Sequence, residues 1–243
     1  MINLQKFRTI QTMSSKNLVT DIPKIKIKNN IWGELSTIHR KDIFNPTYTV
    51  TELRNEEGKV LGKEVFSFEK NKPDSIGMSI EVIPECRKKG FNFGEILRLS
   101  SIMMLIENKV KNFEIYSKDT AVYFHSKYFF EPAIKQFKER NYALESVIRN
   151  CENNEGFGEF ENEAKNLLET SLSNNDPACQ RELCIKTNLL LKKYIKNVLQ
   201  TKDDYKNHPF NFGMRMKLTD DIIYNNKAFF NKLFEKHGID YII

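Results

Sequence analysis

The sequence has little of what would build a disulfide-stapled, metal-stapled or membrane-embedded protein. Its four cysteines, Cys86, Cys151, Cys179 and Cys184, are neither tightly paired nor joined by a histidine at zinc-ligand spacing. No disulfide framework and no metal site is expected, and reduced thiols suit a cytoplasmic protein. No apolar run approaches eighteen residues, and none of seven or more follows a basic start, so neither a membrane span nor a cleaved leader is expected. An effector exported without a cleaved leader has the same character. Glycine and proline are sparse, at ten and seven of 243 residues, and neither a low-complexity segment nor an internal repeat interrupts the chain.

A net charge of +6 suits an anionic partner, but the lysines are spread along the chain and demand no specific nucleic-acid surface. The length fits a single domain, 1–243, elaborated by an insertion. The most informative stretch runs from Val82 to Leu97: an apolar strand, a basic turn with Arg87, Lys88, Lys89 and Gly90, then Phe91, Asn92, Phe93 and Gly94 opening an amphipathic segment. A helix N-terminus offers backbone N–H donors and a positive dipole end, so this turn suits the pyrophosphate of a nucleotide-like cofactor.

Around it the periodicities give an α/β order. The polar first forty-five residues read as a wrap of a short strand and helices. Tyr48, Val50 and Leu53, the turn Asn55–Gly58, and Val60 to Phe68 predict a hairpin. A third strand follows, with Ile76, Met78, Ile80 and Val82 on one face, and Pro84 ends it. Ile96, Leu99, Met103, Ile106 and Val110 mark a helix. Then come a strand from Phe113 to Ser117, parallel to the third, and a helix through Ala121, Phe124 and Tyr128 capped by Asp119 or Ser117. Glu131-Pro132 reads as the next helix start, with helices over 133–149, 160–170 and from Asp176-Pro177 to Leu199. Alternation returns from Phe210 to Leu218, and a last helix ends at Gly238.

Two segments within this order resemble the GCN5-related N-acetyltransferases (GNAT). Val82, Pro84, Arg87 and Gly90 match the family's Arg/Gln-x-x-Gly-x-Gly/Ala turn after a strand ending Val-x-Pro, with Gly94 where a small residue is common. Asn92 stands in place of the second motif glycine. Ala121 to Pro132 resembles the family's Ala-x-x-Phe-Tyr-x-Lys-x-Gly-Phe-x-Pro helix and exit, with His125 for the usual tyrosine and Phe129 for the usual glycine. The resemblance covers about 47–132. It implies a GNAT-like mixed sheet with flanking helices, a core of about 47–132 and 209–243, and a helical insertion over about 133–208 that shapes acceptor choice or forms a homodimer contact.

The resemblance further implies acetyl-CoA as acyl donor and direct transfer to an amine-bearing acceptor, a small molecule or a protein. The backbone of Val82 and Ile83 would face the pantetheine, and the amides from Lys88 through Phe93 the phosphates. Arg87 and Lys89 would add countercharge. An amine with a pKa of about 10.4 must lose a proton before it attacks, so a base is needed; Glu81 and then Glu114 are the candidates. His125 would protonate the departing thiolate, with Tyr123 and Tyr128 in reserve. Plainer readings stand beside these: a solvated basic turn, an exposed strand carboxylate and a half-buried helix histidine. Two alternative functions are an N-acyl synthase taking a longer chain from CoA or a carrier, and a non-catalytic module binding CoA or a protein.

Overall fold

The computed structural model describes residues 26–29, 31–88, 91–152, 155–207, 210–239 and 241–243. In chain order the strands and helices are β1 (Lys26–Asn29), β2 (Gly33–Lys41), β3 (Tyr48–Arg54), β4 (Val60–Ser67), β5 (Asp74–Val82), α1 (Pro84–Lys88), α2 (Phe93–Glu107), β6 (Asn112–Lys118), α3 (Ala121–Ser126) and β7 (Glu131–Pro132). There follow α4 (Phe137–Cys151), α5 (Gly158–Ser173), α6 (Pro177–Asn197), α7 (Lys202–Asn207), β8 (Asn211–Lys217), α8 (Asp220–Asn225) and α9 (Lys227–Lys236). The expected α/β class, strands flanked by helices with a helical segment before the last strand, is the observed one. Two compact units divide the chain, one of residues up to Phe113 with Leu218–Ile243, the other Glu114–Lys217.

In the first unit β1 to β5 form an antiparallel meander in sequence order. The hairpin closes where its turn cluster predicts, with Gly58 at φ 80 and Asn55 Oδ1 accepting the Lys59 N–H at 2.8 Å. The reading of the first forty-five residues needs correction from residue 26 on; those before it lie outside the described residues. Gly33–Lys41 is a nine-residue strand. Its inward positions are Leu35, Thr37 and His39, all buried; two are polar, so the alternation leaves no hydropathy signal.

Those polar positions meet polar positions on α2. The expected apolar stripe is buried, Ile96, Leu99 and Met103 included, but so are Arg98, Ser100 and Ser101. Arg98 Nη1 lies 2.6 Å from Glu64 Oε1, and its guanidinium stacks 4.9 Å from the Phe113 ring centroid. Ser101 Oγ donates to Glu64 Oε2 at 2.8 Å, Thr51 Oγ1 is 3.2 Å from Ser101 Oγ, and His39 Nδ1 is 2.7 Å from Thr51 Oγ1. The carboxylate fixes the direction of this chain. Ser101 spends its hydrogen on Glu64, Thr51 therefore donates to Ser101, and His39 Nδ1 carries the proton. Ser100 Oγ lies 3.1 Å from the other ring nitrogen. Helix and sheet come this close because position 62 is glycine: a Cβ there would stand 2.9 Å from Glu81 O and 3.0 Å from Leu97 Cδ1.

On β5 the single apolar face is also corrected. The register slips between Val65, opposite Ser79, and Phe66, opposite Gly77, so Met78 bulges without a partner. Ile80 and Val82 are half-buried, whereas Ile76 and Met78 are 49% and 56% exposed. The last helix is broken at Asn226 into α8 and α9, and Gly238 at φ 64 follows the end of α9.

In the second unit the strands lie in the order β6-β8-β7, with β7 antiparallel to β8. Glu131-Pro132 is thus an edge strand, not a helix start. The Ala133 N–H donates to Gly213 O at 2.8 Å, and the Asn188 amide bonds both the N–H and the C=O of Ile134, so the following backbone is already engaged and α4 begins only at Phe137. Thr120, not Asp119 or Ser117, precedes α3; Asp119 sits at φ 48 and gives its N–H to Phe210 O. Asp176 caps α6 as read, accepting the Cys179 N–H at 2.8 Å. Arg140, fully buried, joins α4 to α5 and α6 through Ser171 and Gln180.

Burial depresses the His39 pKa from 6.5 to about 4, so the folded state resists a proton that the unfolded chain accepts. Stability from this group is complete above pH 6.5 and is lost as pH falls toward 4, by about 3 kcal/mol at most. Glu64 acts oppositely, since burial raises its pKa and the native state favours its protonation. In urea unfolding between pH 7 and 4, the wild type should lose more stability than His39→Gln; parallel pH profiles would refute the assignment. Arg98→Met should cost about 3–5 kcal/mol by stranding Glu64, and Arg98→Met with Glu64→Leu distinctly less.

Candidate functional site

The first-unit residues centre on the passage from β5 to α2. Ile83 donates its N–H to Leu61 O at 3.0 Å; in an antiparallel ladder its neighbour Val82 therefore turns its N–H and C=O away from β4. The basic stretch does not form one open turn. Pro84 opens α1, so Arg87 and Lys88 stand on a short helix, with the Arg87 side chain exposed. Lys89, Gly90 and the Lys88 side chain lie outside the described residues. Phe91 and Phe93 stack at 5.3 Å. Asn92 is the N-cap of α2, and its C=O accepts from Glu95 and Ile96, so the N–H groups of Phe93 and Gly94 precede the first intrahelical bond. A Cβ at Gly94 would meet Ile80 only at an ordinary 3.8 Å.

Two positions where the chain departs from the glycines of the resembled motifs keep a glycine-like backbone. Asn92 has φ 55 and Phe129 has φ 62. Asparagine enters the left-handed region at modest cost, but a phenylalanine there is strained by about 1–2 kcal/mol. Glu95, in the first turn of α2, is held by Lys236 Nζ at 2.9 Å and His237 Nε2 at 2.6 Å, so its charge at the helix start is countered from the C-terminal end of α9. On β5, Glu81 is exposed and pairs across the ladder with Lys63 at 3.1 Å.

The second-unit residues are placed differently from one another. His125 on α3 is 7% exposed, with Nδ1 2.8 Å from Ser117 Oγ and its ring between Phe124 and Phe130. Tyr123 is half-buried under Lys127, whose Nζ is 3.9 Å from the ring centroid. Tyr128 is buried. Glu114 on β6 is a shared acceptor, bonded by Lys135 at 2.8 Å and by Arg215 at 2.8 Å.

The sequence reading passed over a third group in this unit. Glu139 of α4 accepts N–H groups from Gly213 of β8 and from Lys135, and burial raises its pKa. Tyr142 stands one helical turn from Glu139 on α4, and burial and then the Glu139 charge raise the Tyr116 pKa; Tyr116 OH donates to Asn211 O at 3.4 Å, and Tyr142 OH accepts from Asn211 Nδ2 at 3.3 Å. The available signal was Gly213, a glycine inside a strand of Phe212, Met214 and Met216, which marks a close approach.

Among the described residues no helix is long and apolar enough to cross a membrane, and no three His, Cys, Asp or Glu side chains gather as metal ligands. No protein-family model matches the chain, and no curated protein sequence does. Solved structures that resemble it in part include Tetrahymena GCN5, at 14% identity and TM-score 0.34, matched over 38% of this chain and 57% of that one. Another is a putative acyl-CoA N-acyltransferase from Klebsiella pneumoniae, at 12% and 0.33 over 37% and 62%. A third is nourseothricin acetyltransferase, at 15% and 0.31 over 46% and 71%. The chain thus spans about three-fifths of the first two.

If position 92 needs the left-handed conformation, Asn92→Ala should lower stability by about 1 kcal/mol while Asn92→Gly should not. Equal denaturation midpoints for the two variants would remove that constraint.

Proposed function

We propose that this chain moves an acetyl group from acetyl-CoA to an amine by direct attack, as the GNAT resemblance implies. The observation that carries the reading is the backbone at Asn92 and Phe129: both replace motif glycines, and both keep a positive φ. Both positions thus adopt a backbone that glycine enters most easily, which supports the reading.

The residues present fit the anionic end of such a donor. The first N–H groups of α2, which precede its first intrahelical bond, and the Arg87 guanidinium offer donors and positive charge, to which Lys88, Lys89 and Gly90 belong by sequence. The Lys236 ammonium beside Glu95 offsets a carboxylate charge that would otherwise repel phosphate at the same helix start. When bound, acetyl-CoA supplies an activated thioester. The chain's own tasks are then to hold the phosphates, to accept the amine's proton and to return one to the departing sulfur. His125 is the proposed donor, with Ser117 fixing one ring nitrogen. Glu81 and Glu114 are proposed bases, the first screened by water and Lys63, the second held by Lys135 and Arg215. Those engagements, and the burial of His125, favour as second reading a module that binds CoA without catalysis.

Acetyl-CoA at a hundred times its dissociation constant should stabilise the full chain by about 2.7 kcal/mol, read as a thermal shift. The absence of any shift with acetyl-CoA, CoA or longer acyl-CoAs sinks both CoA readings. Given binding, slow thioester hydrolysis should be lost in His125→Phe and retained in Tyr123→Phe; hydrolysis absent from the wild type selects the non-catalytic module.

A further inference from the structure

Glu139 is placed on β8 by a specific local arrangement. A Cβ at position 213 would lie 3.1 Å from Glu139 Oε1 and 3.5 Å from Ala133 O, so glycine makes the space that the carboxylate enters. Once there it is fixed by backbone donors, from Gly213 and from Lys135, which orient a carboxylate without cancelling its charge. The nearby cations are committed elsewhere: Lys135 Nζ bonds both oxygens of Glu114, and Arg215 pairs with the same carboxylate. Among the described residues no lysine, arginine or histidine side chain pairs directly with Glu139.

Beyond these backbone donors, acceptors and π faces stand nearby. Tyr116 is 54% exposed and Tyr142 is 39% exposed. Asn211, which bridges them, keeps its side-chain oxygen buried with no hydrogen-bond partner among the described residues. Tyr116 already attracts an ammonium, since Lys118 Nζ lies 5.9 Å from its ring centroid. A half-buried carboxylate with no direct cation pair among the described residues, whose charge Lys135 offsets only at longer range, stands with two tyrosine rings and an unsatisfied amide oxygen, and these favour the same chemistry: a compact group with several N–H donors and a positive charge.

We infer that Glu139, Tyr116 and Tyr142, with Asn211, form a recognition site for an organic ammonium. The site reads the acceptor, so its role rests on the transferase reading, although its occupancy can be tested without any reaction. Glu139 receives the ammonium and the rings cover its methylene neighbours; Glu139 and Tyr142 stand on α4, Tyr116 on β6 and Asn211 on β8.

Spermidine is a suitable probe, because a chain with net charge +6 has no general attraction for a polycation. Calorimetric titration of the full-length chain should show saturable binding, weakened about tenfold or more by Glu139→Gln. Tyr116→Ala should weaken it while Tyr116→Phe, which keeps the ring, restores most of it; the ring is exposed, so neither change threatens folding. Failure of the wild type to bind, or equal affinity in Glu139→Gln, overturns the site. A parallel CoA titration separates the two claims: spermidine binding without CoA binding keeps the ammonium site and removes its transferase role, and the converse removes the site alone.

Discussion

The buried pair of Arg98 and Glu64 is the constraint from which the first unit is built. Both side chains are almost wholly out of water, at 4% and 1% exposure, so neither tolerates loss of the other. Because the two residues are on different elements, satisfying them fixes α2 in rotation and height against β4. The Ser101, Thr51 and His39 chain extends that lock to β3 and β2. An apolar interface alone would allow α2 to slide by partial repacking; hydrogen bonds with one set of donors and acceptors do not. The N-terminus of α2 is the proposed phosphate site, and its placement depends on this polar core.

A comparable device holds the helices of the second unit. Arg140 is fully buried and bonded by Ser171, Gln180 and Asn141, and it joins three helices through neutral acceptors. The cation is spread over many partial charges, and the guanidinium fork fits that set of acceptors as lysine would not. α4 is thereby held rigidly, and it is α4 that carries Glu139 to β8. In each unit a buried arginine secures the helix that presents a candidate functional group.

Local signals carried much of the fold. The β3–β4 turn, the Asp176 cap with Pro177, the α2 stripe and the end of β5 at Pro84 were legible because each depends on residues within a few positions of one another. The misreadings share one cause. β2 was missed because its buried face is Thr37 and His39, polar residues whose partners lie on a distant helix. Glu131-Pro132 was misassigned because Asn188 and Gly213 claim the backbone that would have started a helix. The single face of β5 failed at Met78, where a bulge set by pairing with β4 broke the two-residue period. In every case the deciding partner was far away in sequence.

The candidate site divides in the same way. The sequence by itself determined the end of β5 at Pro84, the helix after Asn92, the helix bearing His125, and their likeness to two motifs, since those are contiguous strings with short-range geometry. Tertiary structure decided what surrounds each group: that Glu114 is bound by Lys135 and Arg215, that His125 is buried against Ser117, that Glu95 is neutralised from α9, and that Glu139 enters the space beside Gly213. A residue type sets what chemistry is available. Whether its charge is free, paired or desolvated depends on groups brought near only by the folded chain, because Coulomb and desolvation energies follow distance in space and not separation in sequence.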